Sequence, residues 1–413
     1  MKIHIHSIAS PLHDAESVRK KVSLLSDALH DKGIENVAFD DAWEQTDMHM
    51  YYIATGGSER LFLNLLDEGK IVDKDKIYLL AGEDSNSLAA SMEILSYVNA
   101  HGMCGEIIHG DVDELCERLR ALSVIVSARD YCNNGCLGII GKPSDWLIAS
   151  SYNKTVIKER LGTELVNIDI KELEDAFHAV TDSECDDKLQ ALKTAGILKG
   201  NADAFMSSIP DAVKIYCALE ILIARYSLQG FTLRCFDLLG SLHNTGCLSM
   251  SLLNAKGIIA GCEGDVPTML SMYIAKALTG KTGFMANPSR MDVNEGRVTF
   301  AHCTVPLDMV VDYSFDTHFE SGIGVAIAGK LPTGNVTIFK LDGKLDNCFI
   351  EEGMLTENLC ERNLCRTQIV TVFDDASAVR RMLTRPVGNH HVILNGRYKK
   401  IFSQFLEELR IKE

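Results

Sequence analysis

The strongest constraint on this chain is a change of hydrophobic period along its length. Before about Phe300, short apolar runs of strand length alternate with amphipathic stretches at helical spacing. Lys2–Ile8, Met50–Thr55, Ile77–Ala81, Gly105–Ile108 and Val124–Ala128 read as strands, with Glu16–Lys32, Arg60–Leu66, Ser87–His101 and Val112–Leu122 as the helices between them. Such alternation builds βαβ units and a doubly wound layer. A second unit starts near Gly135 with strands Leu137–Gly141, Glu164–Asp169 and Phe231–Phe236 and helices Thr155–Leu161, Ile170–His178 and about Ala204–Gln229. After Phe300 the pattern alternates at period two in Val310–Phe315, Gly324–Ala328, Asn335–Lys340, Cys348–Met354 and Gln368–Phe373. Gly, Asp and Asn turns separate these runs, as in an antiparallel sheet or barrel, and a helix over Tyr398–Leu409 closes the chain.

Length and charge narrow the function classes. A chain of 413 residues exceeds one ordinary core and points to two or three domains. Its 41 basic and 57 acidic side chains leave a net charge of −16, a field that repels phosphate backbones and anionic lipid. A nucleic-acid or membrane partner is therefore not expected. The apolar runs Ala121–Ser127 and Ile258–Cys262 fall far short of the ~20 residues that span a bilayer, and Met1-Lys-Ile-His-Ile-His has no signal-peptide character, so a cytoplasmic location is expected. The 13 cysteines are scattered, with no pair of CxxC motifs, and read as reduced, buried small hydrophobes. Cys132 and Cys136, at CxxxC spacing, are the one pair with a redox or metal alternative. The Thr55-Gly-Gly-Ser-Glu turn between a strand and a helix is either an anion crevice or a tight connection.

Candidate chemistry concentrates between Arg234 and His302, where polar residues interrupt apolar runs. Thr232-Leu-Arg234-Cys-Phe-Asp237 ends one predicted strand. Ile258-Ile-Ala-Gly261-Cys262-Glu263-Gly264-Asp265 delivers two carboxylates into a loop before a helix. Phe284-Met-Ala-Asn287-Pro-Ser-Arg290-Met-Asp292 leads to a further strand that ends at His302. Strand ends on open α/β sheets are the usual origin of sites, and a carboxylate with two histidines suits a divalent metal such as Mn²⁺. The distant Gly388-Asn389-His390-His391 offers the partner histidine. Each residue has a plainer alternative: Glu263 or Asp265 as helix cap, Arg234 in an ion pair, His302 merely hydrogen-bonded, His390 and His391 as a surface pair.

Taken in order, Thr-Leu-Arg234-Cys235, Gly246-Cys-Leu-Ser249, Gly261-Cys-Glu263-Gly-Asp265, Phe284-Met-Ala-Asn287-Pro, Ala301-His302-Cys303-Thr and Gly388-Asn-His390 resemble the L-fucose/L-arabinose isomerase superfamily, nearest its shorter fucose isomerase-like members. Lys142-Pro-Ser-Asp-Trp146 and Thr317-His318-Phe-Glu320-Ser-Gly also look like motifs of that group. The resemblance implies two Rossmann-like α/β domains, residues 1–134 and 135–300, then a C-terminal antiparallel β-barrel-like domain, residues 301–413, in a homo-oligomer, trimer or hexamer. It implies Mn²⁺-dependent interconversion of an aldose and a ketose through an enediol. Glu263 would be base and ligand, Asp292 a second catalytic carboxylate and ligand, His302 and His390 ligands, and Arg234, Asn287, His318, Glu320 and His391 sugar contacts. The position expected to hold a second carboxylate carries Asn287, which cannot accept a proton; Asp292 is the leading substitute and Asp265 the other. A sugar-processing enzyme without isomerase activity, or a carbohydrate-binding protein on the same scaffold, are the alternatives that Asn287 keeps open.

Overall fold

A computed structural model describes residues 2–39, 48–71, 76–194 and 207–412. The chain divides into two compact units, residues 1–127 and 128–413. It is a mixed α/β protein with two parallel sheets and one closed antiparallel barrel.

The first unit is a five-stranded parallel sheet formed by β1 (Ile3–Ile8), β2 (Val37–Ala38), β3 (Met48–Ile53), β4 (Ile77–Ala81) and β5 (Gly105–His109) in the order β2-β1-β3-β4-β5. β3 and β4 are buried along their whole length because helices cover both faces, which is why they read as unbroken apolar runs. One helix differs from expectation. Val124–Ala128 is not a strand but the continuation of the helix Val112–Asn133. Its apolar residues fit both periods, and 22 unbroken residues of helix decide for the longer element. The Thr55-Gly-Gly-Ser turn is a tight connection: Ser58 Oγ donates to Thr55 O at 2.7 Å, and Gly57 takes φ +76°.

The second unit stacks two layers. β6 (Cys136–Ile140), β7 (Glu164–Ile168), β8 (Gly230–Leu233) and β9 (Ile259–Cys262) form a parallel sheet ordered β7-β6-β8-β9. The helix Ile209–Tyr226 beside it is shorter than read, and Ala204–Met206 lie outside the described residues. The barrel closes in the order β10-β11-β16-β15-β14-β17, from β10 (Phe284–Asp292), β11 (Arg297–His302), β14 (Gly334–Leu341), β15 (Cys348–Asn358), β16 (Thr367–Phe373) and β17 (His391–Asn395). It therefore begins ahead of Phe300 and recruits the two strands that carry Asn287 and His302. β12 (Asp312–Asp316) and β13 (Ala326–Lys330), read as part of the same run, instead pair with each other as a separate hairpin. β9 meets β10 where the Cys262 N–H donates to the Met285 side-chain Sδ at 3.3 Å.

Candidate metal and sugar site

Glu263 leaves β9 with its backbone in the left-handed region, φ +63°, followed by Gly264 at φ +71°. A non-glycine residue held there carries a cost of order 1–3 kcal/mol and needs its surroundings to impose it. They do so through Lys142–Trp146. Glu263 O accepts from Ser144 N–H at 3.0 Å, and a Cβ on Gly264 would stand 2.6 Å from Lys142 O and 2.7 Å from Pro143 Cα. Arg234 ties the same loop down, reaching Asp145 at 3.1 Å, Asp237 at 3.0 Å and Pro143 O at 3.4 Å. The loop in turn sets Trp146, whose indole N–H donates to Glu263 Oε2 at 2.7 Å. The other carboxylate oxygen faces the barrel, 3.5 Å from His390 Nε2 and 3.9 Å from His302 Nε2.

Both histidines are buried. His302 ends β11 with Nδ1 against Thr304 Oγ1 at 2.9 Å, and its ring centroid lies 5.3 Å from that of His390. His390, just before β17, places Nδ1 at 2.8 Å from Asp265 Oδ2. That carboxylate is an acceptor, so Nδ1 carries a proton, and in the neutral ring Nε2 presents its lone pair toward Glu263. Nε2 is buried without a hydrogen-bond partner and aims at Glu263. Asp265 caps the helix Val266–Thr279, taking Thr268 N–H at 2.9 Å and Thr268 Oγ1 at 2.8 Å.

Glu263, His302 and His390 each offer one ligand atom, and all three atoms lie within 4.8 Å of one another. An unpartnered imidazole nitrogen, a second imidazole and a carboxylate oxygen converging on one point fit a divalent transition metal. A carboxylate behind one histidine is the usual way to orient such a ligand. Burial works to raise the Glu263 carboxyl, but His390, then His302 and Trp146, hold it down at about 2. Burial pushes His302 down to about 3, helped by His390. For His390 burial is outweighed by Asp265 and Glu263, which raise it.

The remaining expected residues separate. Asn287 is half-buried on β10, on the strand face of Met285, which touches Cys262, and opposite Ala301, the neighbour of His302. His318 is buried, its ring 5.3 Å from Phe236, which packs 5.0 Å from Trp146, and Glu263 lies within electrostatic reach. Glu320 follows it in an exposed turn.

Two expectations are displaced. Asp292 sits at the far end of β10, six residues past Ala286, the partner of His391, hence ~20 Å along the strand. There its exposed carboxylate accepts from Asn294 N–H at 2.9 Å and Glu295 N–H at 3.1 Å, closing a hairpin turn. His391, at the next strand position from His390, points the opposite way and packs against Phe300 and Phe349 at 6.0 and 5.4 Å. Trp146 and the alignment of His390 by Asp265 are the features that residue-by-residue reading did not single out. The Lys142–Trp146 motif was visible, but nothing in it named the indole's partner.

The 13 cysteines are all free thiols, and burial pushes Cys132 up to about 12, far from a reactive thiolate.

Residues 149–281 match the family of the L-arabinose isomerase central domain, the stretch that carries Arg234, Glu263 and Asp265. The chain is 28% identical over 199 residues to the sulfoquinovose isomerase of Clostridium sp. (strain MSTE9), covering 46% of this chain and 43% of that protein. It is 22% identical over 264 residues to the sulfoquinovose isomerase of Priestia aryabhattai, covering 62% of this chain and 58% of that protein. These similarities support an L-fucose/L-arabinose isomerase-like superfamily for the chain. The matches span about half the length of these curated relatives. In superfamily terms the carboxylate comes from the α/β layer and both histidines from the barrel, so the cluster bridges two layers of one unit.

Proposed function

We propose that the protein is a divalent-metal-dependent aldose–ketose isomerase, with Mn²⁺ as the metal and Glu263, His302 and His390 as its protein ligands. The observation that carries this reading is the convergence of those three side chains with His390 Nε2 buried, unpartnered and aimed at the carboxylate. The isomerase names of the relatives support the reaction class, and the first substrate to assay is a sulfonated hexose, with neutral aldoses beside it. The net charge of −16 and the absence, among the described residues, of a helix able to cross a membrane are compatible with a small-molecule enzyme of the cytoplasm. A homo-oligomer, trimer or hexamer, is part of the reading and is decided by sedimentation.

Isomerisation moves a proton between C2 and C1 and another between the two oxygens, with no external oxidant or reductant. When bound, the cation would polarise those oxygens. Asp265 is fully buried with both oxygens engaged, so it orients His390 and does not meet the sugar. Glu263 is the cluster's carboxylate that reaches the surface, 13% exposed, and is ionised at neutral pH, so it accepts the carbon-bound proton in this reading. Trp146 fixes its orientation. Asn287 supplies an amide to a sugar hydroxyl, and Trp146, Phe236 and His318 form an aromatic wall.

The test is manganese binding and aldose turnover in the wild type, Glu263→Gln and His390→Ala. Loss of both properties in both variants upholds the assignment, and undiminished manganese binding in the two variants overturns it. Asn287 favours one second reading, a sugar-binding protein without turnover. Saturable binding of an aldose that is never converted, with and without Mn²⁺, identifies that case.

A further inference from the structure

Lys340 is a lysine with no exposed surface at all, a placement that is costly unless the charge is matched. It lies near the end of β14, and its ammonium stands 3.4 Å from each oxygen of Asp265 and within bonding distance of Thr268 Oγ1. Asp265 is equally buried. Four groups are thus in series: Lys340 Nζ, the Asp265 carboxylate, the His390 ring through Nδ1 at 2.8 Å, and Glu263 Oε1 at 3.5 Å from His390 Nε2. Asp265 is the carboxylate that Lys340 pairs with, Asp342 lies within electrostatic reach, and the backbone makes room for the lysine. Gly388, two residues before His390, adopts φ +117°, and a Cβ there would stand 3.3 Å from Lys340 Cε.

We infer that Lys340 is a positioning residue of the proposed metal site, holding the Asp265 carboxylate in the orientation that fixes the His390 ring and presents its Nε2 to the metal. The inference rests on the metal-site reading above and extends it one shell outward. The geometry gives the reason. Asp265 accepts five hydrogen bonds or ion-pair contacts, from Thr268 twice, from Lys340 twice and from His390, and only the last has to survive for the histidine to stay aligned. Thr268 alone holds Asp265 as a helix cap, from the helix side. Lys340 reaches it from the barrel and so links the strand β14 to the same carboxylate that β17's leading histidine uses. An ammonium in this place also balances the charge of a carboxylate that would otherwise be buried unpaired behind the metal.

The experiment measures free Mn²⁺ by electron paramagnetic resonance in full-length protein, for wild type, Lys340→Gln, Asp265→Asn and the double variant. Lys340→Gln keeps a hydrogen-bonding head near Thr268, and circular dichroism confirms that each variant is folded. Removing an outer-shell partner of a metal-bound histidine weakens binding about 10–100-fold. Lys340→Gln is expected to weaken Mn²⁺ by roughly tenfold, and the double variant to be no weaker than Asp265→Asn alone, because both act through one carboxylate. Lys340→Gln binding as wild type, or losses that simply multiply, overturns the inference. Nitrogen-15 histidine spectra of the metal-free protein give an independent decision. Should the wild type bind no Mn²⁺, the metal reading fails by itself. Lys340 is then judged on whether Lys340→Gln moves the His390 proton off Nδ1, as the inference requires, or leaves it in place, which overturns it.

Discussion

At the residue scale the site depends on positions whose alternatives are easy to state. Gly264 sits at φ +71° with the backbone of Lys142 and Pro143 against it, so Gly264→Ala meets both a strained conformation and a backbone clash. It should destabilise the fold by ~2–4 kcal/mol, read as a lower urea midpoint at unchanged slope. Asn287 invites the opposite substitution. Its half-buried amide occupies the place where the superfamily resemblance implies an acid, on the strand face of Met285, which touches Cys262. Asn287→Asp should tighten Mn²⁺ by about tenfold, or about 1.4 kcal/mol, measured by the same resonance titration; unchanged affinity would place Asn287 outside the ligand sphere. The sequence exposed most of this at the level of identity. Glu263 and His302 were each nameable because an apolar run ends on a polar residue, and His390 because Gly388-Asn-His390 leads into a strand and carries the resemblance. The hydrogen bond from His390 to Asp265 was not nameable, since the two are 125 residues apart and meet only when the helix Val266–Thr279 and β17 are packed.

At the scale of elements, charge holds the edge of the first sheet. Glu106 on β5 takes a two-pronged contact from Arg118 of the helix Val112–Asn133, at 2.7 and 2.6 Å, and Lys76 at 2.8 Å. Burial works to raise the Glu106 carboxyl, but Arg118 and Lys76 outweigh it and hold it low. A carboxyl lowered by folding contributes stability that is fully present above its unfolded value, about 4.3, and is lost as pH falls through the folded value. With partial exposure and solvent screening the contribution is about 1 kcal/mol. Glu106→Gln should therefore lower the urea midpoint at pH 7 and converge with wild type in strong acid. An offset that persists at the lowest pH would assign the effect to packing instead. The same helix shows where element reading fails. Val124–Ala128 carries a strand-like apolar run, yet an uninterrupted helical turn on either side absorbs it. In the barrel the failure has another origin. β10 contains Pro288 beside a register shift between Pro288 and Arg290, which breaks the alternation that would have marked it as a barrel strand. β12 alternates polar and aromatic residues yet pairs with β13 in a separate two-stranded sheet, because period two specifies a strand and not its neighbour.

At the scale of the whole molecule, the proposed metal joins two layers of one unit. Glu263 belongs to the loop after β9 of the parallel sheet, whereas His302 and His390 belong to β11 and the approach to β17 of the barrel. A ligand that binds the folded state alone stabilises it by about 2.7 kcal/mol at a hundredfold excess over its dissociation constant. Because all three donors lie in residues 128–413, that stabilisation belongs to the unfolding of this unit. Two compact units with their own cores are expected to give two calorimetric transitions, and Glu106→Gln labels the one that belongs to residues 1–127. Excess Mn²⁺ should then raise the other transition by several degrees, in proportion to the logarithm of its concentration. His390→Ala should abolish the shift while Asp292→Asn preserves it, since the Asp292 carboxylate closes a hairpin turn at the opposite end of β10. A shift that survives His390→Ala, or one that Asp292→Asn removes, would move the metal to a different set of side chains. The scan thus tests the architecture and the site together, because only a cation held between sheet and barrel stabilises both layers in a single step.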